Sequence, residues 1–282
     1  TDSPLRYPGG KTQMKKFIVD ILRTNSISDC YVEPFAGGAG VALYLLFNNY
    51  VNKIYINDID PSIYSFWYSI LNNTNEFIKK LESVPITIDE WNKQKYIQIN
   101  SEDYNELELG FSTFFLNRTN ISGIINGGPI GGKKQKGKYK LDCRFNKADL
   151  ISKIKKISYY KDCIEVTNYD AEYFIENIIK KLNPSNTFIF LDPPYYKQGK
   201  KLYTNFYRHE NHVSLQKKIS SLKEYYWIVT YDLAEEIEEI YKGNRKKKYS
   251  LNYSANRFRK ASELLFYSEK IILPDTDNIK FV

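Results

Sequence analysis

The chain contains no apolar run approaching the roughly 20 residues that span a bilayer, so no transmembrane helix is expected. Its first residues lack the charged-then-apolar layout of a secretory signal, and a soluble, cytoplasmic protein is the expectation. Cysteine is scarce. Cys30, Cys143 and Cys163 are odd in number, scattered and never at CxxC spacing, which excludes a disulfide framework or zinc ribbon and leaves buried or inert thiols. Metal-ligand spacing is also missing: His209-Glu210-Asn211-His212 falls short of HExxH and reads as an exposed helix start, so no metal is expected.

The 282 residues are 42% hydrophobic and 16% aromatic, enough for one core domain carrying a smaller insertion. A formal charge of +8 and a pI near 9.0 favour a polyanionic partner, because Lys and Arg neutralise phosphates and release condensed counterions. Much of the excess sits in 133–140, 153–156 and 245–248, where a solvated lysine face is the plainer alternative.

Strand signals at Cys30 to Glu33 and Lys53 to Asn57 alternate with apolar helical stretches. The first is carried by Val41, Leu43, Leu45, Leu46 and Phe47, the second by Ile63, Phe66, Trp67 and Ile70 behind Pro61. After about Leu71 the alternation stops. Phe111, Phe114 and Phe115 then mark a buried helix face, and 117–146, rich in Gly, Lys and Asn, suits an extended surface loop or hairpin. Strands recur at Cys163 to Thr167, Thr187 to Leu191 and Trp227 to Thr230, and strand-like Tyr249 to Tyr253 and Glu263 to Tyr267 close the chain. The expected architecture is a doubly wound α/β domain of residues 1–71 and 161–282 with an inserted helical and hairpin domain at 72–160.

Phe35-Ala36-Gly37-Gly38-Ala39-Gly40 lies where a strand hands over to a helix, so its backbone can approach a ligand closely with a helix N-terminus behind it. Asp58 follows about 20 residues later at the end of the next strand, flanked by Asn57 and Asp60, from where a carboxylate can accept ribose hydroxyls. Turn and acid together point to a nucleoside cofactor. NAD is disfavoured because Leu43 stands where GxGxxG needs a small residue. Gly127 to Lys133 matches GxxxxGK but continues with Lys134 in place of the Ser or Thr that binds magnesium, and no apolar strand precedes it. A flexible basic loop over a phosphate backbone fits it better.

The sharpest signal is Phe188-Ile189-Phe190-Leu191-Asp192-Pro193-Pro194-Tyr195, a buried strand ending in an acid, two prolines and an aromatic. The prolines stop the strand and stiffen the turn, leaving their carbonyls free of ladder duty. Methylation of an aromatic amine calls for such a set, because the amino lone pair is delocalised into the ring. If Asp192 and the Pro193 carbonyl accept the two amino hydrogens, the nitrogen is drawn toward a tetrahedral form and its lone pair can point at a methyl donor. Tyr195 offers a stacking face for an everted base, whose extrusion costs a few kcal/mol against the ~1–3 that stacking contributes. A strand followed by a merely rigid turn explains the prolines but not the acid and aromatic beside them.

With the glycine turn, the following acid and DPPY in that order around an insertion, the chain resembles the Dam-type D12 class of DNA adenine N6-methyltransferases. Further marks are Arg6-Tyr7-Pro8-Gly9-Gly10-Lys11, Tyr31-Val32-Glu33-Pro34-Phe35-Ala36-Gly37-Gly38 and Asn57-Asp58-Ile59-Asp60. The resemblance implies a Rossmann-like sheet that binds S-adenosyl-L-methionine, with Phe35, Gly37, Gly38 and Gly40 cradling it. Asp58 would lie on its ribose, Tyr7 and Lys11 near its methionine or adenine end, and Asp192 between cofactor and base. It implies double-stranded DNA as partner, with a cognate restriction endonuclease as a further candidate, and GATC as one target that many members share. Phe115 to Gly123 looks like the recognition hairpin, so Arg118 and Asn120 are candidates for base or phosphate contacts. Lys133, Lys134, Lys136, Lys138 and Arg144, with Arg257 and Arg259 near the C-terminus, are candidates for phosphate. An RNA or protein-amide acceptor, and a non-catalytic DNA-binding module, are the competing expectations.

Overall fold

The computed structural model describes residues 1–7, 9–197, 207–253 and 259–282, and of 251–253 and 259–261 only the backbone. Its contacts divide the chain into two compact units, one of Thr1–Gly10 with Asp60–Asp162 and one of Lys11–Ile59 with Cys163–Val282. In chain order the elements are α1 (Lys15–Thr24), β1 (Cys30–Glu33), α2 (Gly40–Phe47), β2 (Lys53–Asn57), α3 (Pro61–Asn72), α4 (Thr74–Ser83), α5 (Ile88–Ile99), α6 (Glu106–Thr119) and α7 (Lys147–Tyr159). After these come β3 (Ile164–Thr167), α8 (Ala171–Asn177), β4 (Thr187–Leu191), α9 (His209–Ser220), β5 (Tyr226–Asp232), α10 (Glu235–Ile240), β6 (Arg245–Tyr253), β7 (Arg259–Tyr267) and β8 (Lys280–Phe281). No helix among the described residues is long and apolar enough to cross a membrane.

The second unit holds one sheet in the order β3-β2-β1-β4-β5-β7-β6-β8. Its first five strands are parallel, and β7 and β6 extend it as an antiparallel pair. Every residue of β4 is buried, as expected for a parallel strand covered on both faces. Val32, Ile189, Leu191, Trp227 and Val229 pack on one face against Phe174 and Ile175 of α8, Leu215 and Ile219 of α9, and Ile237 of α10. Alternate residues face the other way, where the Tyr31 and Phe188 rings stack 6.0 Å apart. The chain runs outward from β1 to β2 and β3, then crosses back to start β4 on the opposite side of β1. That reversal opens a crevice at the carboxyl ends of β1 and β4. The architecture is the doubly wound α/β sheet that the sequence implies.

Several boundaries differ from the sequence expectation. The strand expected at Tyr249 to Tyr253 begins at Arg245, and the one at Glu263 to Tyr267 begins at Arg259, because the β6–β7 ladder pairs Arg245 with Tyr267 and continues to Tyr253 with Arg259. A basic run of weak strand propensity is thus held extended by its partner, with Glu238 of α10 taking Lys246 and Lys248. Cys163 sits in a turn ahead of β3. Of the thiols, Cys30 is buried and pushed up to about 12 by that burial, Cys163 is partly buried and Cys143 is exposed. The expected exposed histidine pair divides. His209 is exposed at the start of α9, but His212 is fully buried, its Nδ1 2.9 Å from the Tyr231 hydroxyl, and burial lowers its pKa to about 4.

The first unit is helical. Asp60 caps α3 by accepting the Ser62 N–H at 2.9 Å, with Pro61 at the first helical position. Asn105 and Glu108 form a capping box that starts α6. α6 and α3 press together at Gly110, where a Cβ would lie 2.3 Å from the Ser65 carbonyl. Around that crossing Phe66 stacks on Phe114 with centroids 5.9 Å apart, Phe77 meets Phe111 at 5.3 Å, and Phe145 meets Phe115 at 5.4 Å. This packing brings α3 into the helical unit, whose longer segment runs from Asp60 to Asp162 where the sequence suggested 72–160. The segment expected as a loop or hairpin pairs only through the Asn120–Pro129 bridge, and much of the rest is turn.

Candidate active site

At the carboxyl ends of β1, β2 and β3, one buried amide ties three strands. Asn57 donates from Nδ2 to the Pro34 and Tyr169 carbonyls at 3.0 and 2.9 Å, and its Oδ1 accepts from the Thr167 hydroxyl and the Tyr169 N–H at 2.8 and 2.9 Å. Beside it the half-buried Asp58 accepts the Gly37 N–H at 2.8 Å, so acid and glycine turn are one structure. Gly37 (φ 46°) and Ala39 (φ 45°) are left-handed, which bends the chain sharply from β1 into α2. A Cβ on Gly40 would lie 2.5 Å from the Thr12 hydroxyl, so that glycine admits a neighbouring turn of the protein, a packing reason that needs no ligand. Phe35 is half-buried, edge-on to Tyr207 at 6.0 Å, and Tyr169 remains 40% exposed next to Asp58.

One strand over, Asp192 follows β4. Val32 pairs with Ile189 in parallel register, which brings Phe35 level with Asp192. Asp192 Oδ2 accepts from Lys11 Nζ at 2.9 Å and Oδ1 from the Thr230 hydroxyl at 2.6 Å. Burial pushes the carboxyl above the usual range, Lys11 opposes that, and the Glu263 carboxylate adds to it. Lys11 Nζ also donates to the Tyr195 hydroxyl at 2.6 Å while lying 4.8 Å from the ring centroid. Those two distances put the ammonium at the hydroxyl edge of the ring, so it does not cover the ring face. Past Tyr195, Asp232 at the end of β5 accepts the N–H groups of Tyr196 and Lys197, each at 3.0 Å.

The sequence pattern of the D12 class N6 adenine-specific DNA methyltransferases runs through residues 7–255. The chain belongs to that family. Relatives include the type II methyltransferase M.MjaIII of Methanocaldococcus jannaschii, 26% identical over 206 residues that cover 68% of each protein. The type II methyltransferase M.CviBI of Paramecium bursaria Chlorella virus NC1A is 26% identical over 266 residues, 88% of this chain and 90% of that one. Among solved structures, a putative RNA methyltransferase of Pyrococcus horikoshii superposes with a TM-score of 0.40 at 9% identity, covering 94% of this chain and 86% of that one, too loosely to bear on function. A family of enzymes acting on DNA adenine leaves the RNA, protein-amide and non-catalytic alternatives without support.

The methyltransferase brings Lys11, Phe35, Gly37, Gly38, Asp58, Asp192, Pro193 and Tyr195 into its second unit, on or beside the ends of neighbouring strands. Tyr7 belongs to the first unit, where its carbonyl accepts the Gly10 N–H at 3.2 Å, and Pro8 lies outside the described residues. Lys133, Lys134, Lys136, Lys138 and Arg144 are exposed on the first unit. Arg118 is half-buried and donates from Nε to the Arg144 carbonyl at 2.8 Å, and burial, then nearby Arg6, lowers it to about 10.

Asn120 requires a correction. It is fully buried, accepts from Trp91 Nε1 at 2.6 Å and donates to the Ile124 and Ile125 carbonyls at 2.9 Å each. Both amide hydrogens are spent on the loop, so the side chain holds the hairpin and does not face DNA. Arg257 and the side chain of Arg259 lie outside the described residues. Thr230, Asp232, Glu263 and Tyr169 escape sequence reasoning. Thr230 and Asp232 lie near the end of β5, Tyr169 just past β3, and Glu263 in the middle of β7 opposite Asp232, but nothing local in the sequence ties any of them to Asp192 or Asp58.

Proposed function

We propose that this methyltransferase uses S-adenosyl-L-methionine to methylate N6 of an adenine turned out of double-stranded DNA, at the carboxyl ends of β1, β2 and β4. What carries the reading is the meeting, in one crevice, of the Asp58-anchored glycine turn and the Asp192-Pro193-Pro194-Tyr195 turn on adjacent strands. The residues fit the cofactor. A half-buried carboxylate beside a sharp backbone turn suits a ribose, and the partly exposed Phe35 and Tyr169 offer aromatic surface for an adenine. Bound there, S-adenosyl-L-methionine supplies an electrophilic methyl on a sulfonium.

The chain's own residues prepare the acceptor. Asp192 and the Pro193 carbonyl accept the two amino hydrogens, which pulls the nitrogen toward a tetrahedral form with its lone pair directed out of the ring plane. Lys11 and Thr230 hold the Asp192 carboxylate in one orientation from opposite oxygens. Burial raises its proton affinity, which suits a group that takes the amino proton as the N–C bond forms. The Tyr195 ring stacks on the everted base.

In the same reading the first unit is the target-recognition unit, with Lys133, Lys134, Lys136, Lys138 and Arg144 on phosphates. Type II relatives favour a companion restriction endonuclease, and GATC is the target to try first. The test is incubation of the protein with S-adenosyl-L-methionine and plasmid DNA, followed by mass spectrometry of the released nucleosides. N6-methyladenine is expected. Its absence across varied DNA, with cofactor binding demonstrated, would sink the proposal.

A further inference from the structure

Glu263, on β7, reaches the DPPY turn from 68 positions further along the chain than Tyr195. It is buried to 2% exposure, yet its carboxylate is not packed among apolar groups. Oε1 accepts the Tyr195 hydroxyl at 2.7 Å, Oε2 accepts the Tyr249 hydroxyl from the facing strand, and Lys11 Nζ stands 3.9 Å away. Lys11 in turn donates to both Tyr195 and Asp192. One ammonium therefore lies between two carboxylates, and the Tyr195 hydroxyl donates to one of them while accepting from that ammonium.

We propose that Glu263 is a positioning residue for methyl transfer: it anchors the Tyr195 ring by its hydroxyl and shares the Lys11 charge with Asp192. This rests on the reading above, in which Asp192 and Tyr195 meet the target base. The anchoring follows from hydrogen-bond geometry. A tyrosine held at its hydroxyl by a buried carboxylate and an ammonium keeps its ring in one plane, so an arriving adenine finds a stacking face already set. The electrostatic role follows from the arrangement of charges. The groups that face Asp192 are Lys11 from the N-terminal turn, Thr230 from β5, Glu263 from β7, and Tyr31 and Glu33 from β1, whose titrations respond to the Asp192 charge. Of these, Lys11 and Thr230 favour the Asp192 carboxylate, whereas the negative charge of Glu263 works against it and raises its affinity for a proton.

The experiment compares wild type, Glu263→Gln and Tyr195→Phe as full-length chains, with S-adenosyl-L-methionine and plasmid DNA, reading N6-methyladenine as kcat and KM across a pH series. Glutamine keeps an acceptor for Tyr195 and removes the charge. Glu263→Gln should lower kcat about tenfold or more with KM for the cofactor unchanged, and should move the acid limb of the kcat profile to lower pH, because Asp192 loses a repelling neighbour. A packing defect alone would lower activity without moving the limb in that direction. Tyr195→Phe keeps the ring and removes the anchor, and should lower kcat several-fold even if Glu263→Gln fails to fold. Wild-type kcat in Tyr195→Phe, or an unmoved acid limb in a folded Glu263→Gln, overturns the inference. A wild-type protein that makes no N6-methyladenine overturns the underlying reading instead.

Discussion

The Thr230 hydroxyl donates to Asp192 Oδ1 at 2.6 Å, across the gap between the adjacent strands β5 and β4. Thr230 is fully buried, and valine would match its shape while removing the bond. A hydrogen bond to a charged group is worth about 1.5–3 kcal/mol, so Thr230→Val should reduce kcat roughly 10- to 100-fold if the full value is lost at the transition state. The bond favours the ionised carboxyl, so its loss raises the Asp192 pKa further and the acid limb of the kcat profile moves to higher pH. That is opposite to the shift expected for Glu263→Gln. Asp192→Ala should abolish transfer while leaving salt-dependent DNA binding largely intact, and a retained product signal in that variant would remove Asp192 from the mechanism.

Stability should depend on pH through Glu33. This carboxyl is buried at the end of β1, accepts from the Tyr31 hydroxyl at 2.8 Å, and is pushed by burial from 4.5 to about 8. Its folded pKa lies above the unfolded one, so between those values the folded state binds more protons and stability falls as pH rises. Glu33→Gln removes the titration and keeps an acceptor for Tyr31. Denaturation curves should superpose the variant and wild type near pH 4, diverge progressively between pH 4.5 and about 8, and show the variant more stable near pH 9. A variant less stable than wild type at the higher pH would mean that the ionised form is favoured by the fold.

The exposed lysines at 133, 134, 136 and 138 make a different prediction. Each phosphate contact contributes about 0.9 to the slope of log affinity against log salt, so replacing all four with Gln should lower that slope by up to roughly 3 to 4. Turnover at saturating DNA should change little. Titrations at several salt concentrations read the slope directly, and an unaltered slope would make this loop a solvated surface.

Asn120 should behave as a structural residue. Asn120→Ala strands the Trp91 indole N–H and the Ile124 and Ile125 carbonyls, at a cost of about 2–4 kcal/mol to the first unit. A lowered melting temperature with an unchanged salt slope is the expected pair of results. A wild-type melt combined with a smaller slope would return Asn120 to the DNA surface.

What the sequence made legible is what its chemistry writes contiguously. The glycine turn with Asp58, and DPPY behind a fully apolar strand, announce their strand ends because turn residues and hydrophobic runs are local signals. The β6–β7 ladder was legible only in its apolar half, since the basic residues of β6 are held extended by pairing and not by propensity. Asn120 reads as a surface residue among basic neighbours until Trp91, 29 positions away, closes over it. The Lys11–Asp192 pair joins residues 181 positions apart, and only the family resemblance put Lys11 near the site at all. Thr230, Asp232 and Glu263 are invisible for the same reason: their importance lies in which strands become neighbours and in what register, with Glu263 opposite Asp232, and that is a property of the sheet topology.

The amide of Asn57 has one more consequence. With four bonds reaching Pro34, Thr167 and Tyr169, it stiffens the strand ends proposed to hold the donor before any ligand arrives. A small molecule entering a preorganised rim surrenders its own freedom but demands little of the host, so recognition of the donor on this side should resemble a key meeting a finished lock.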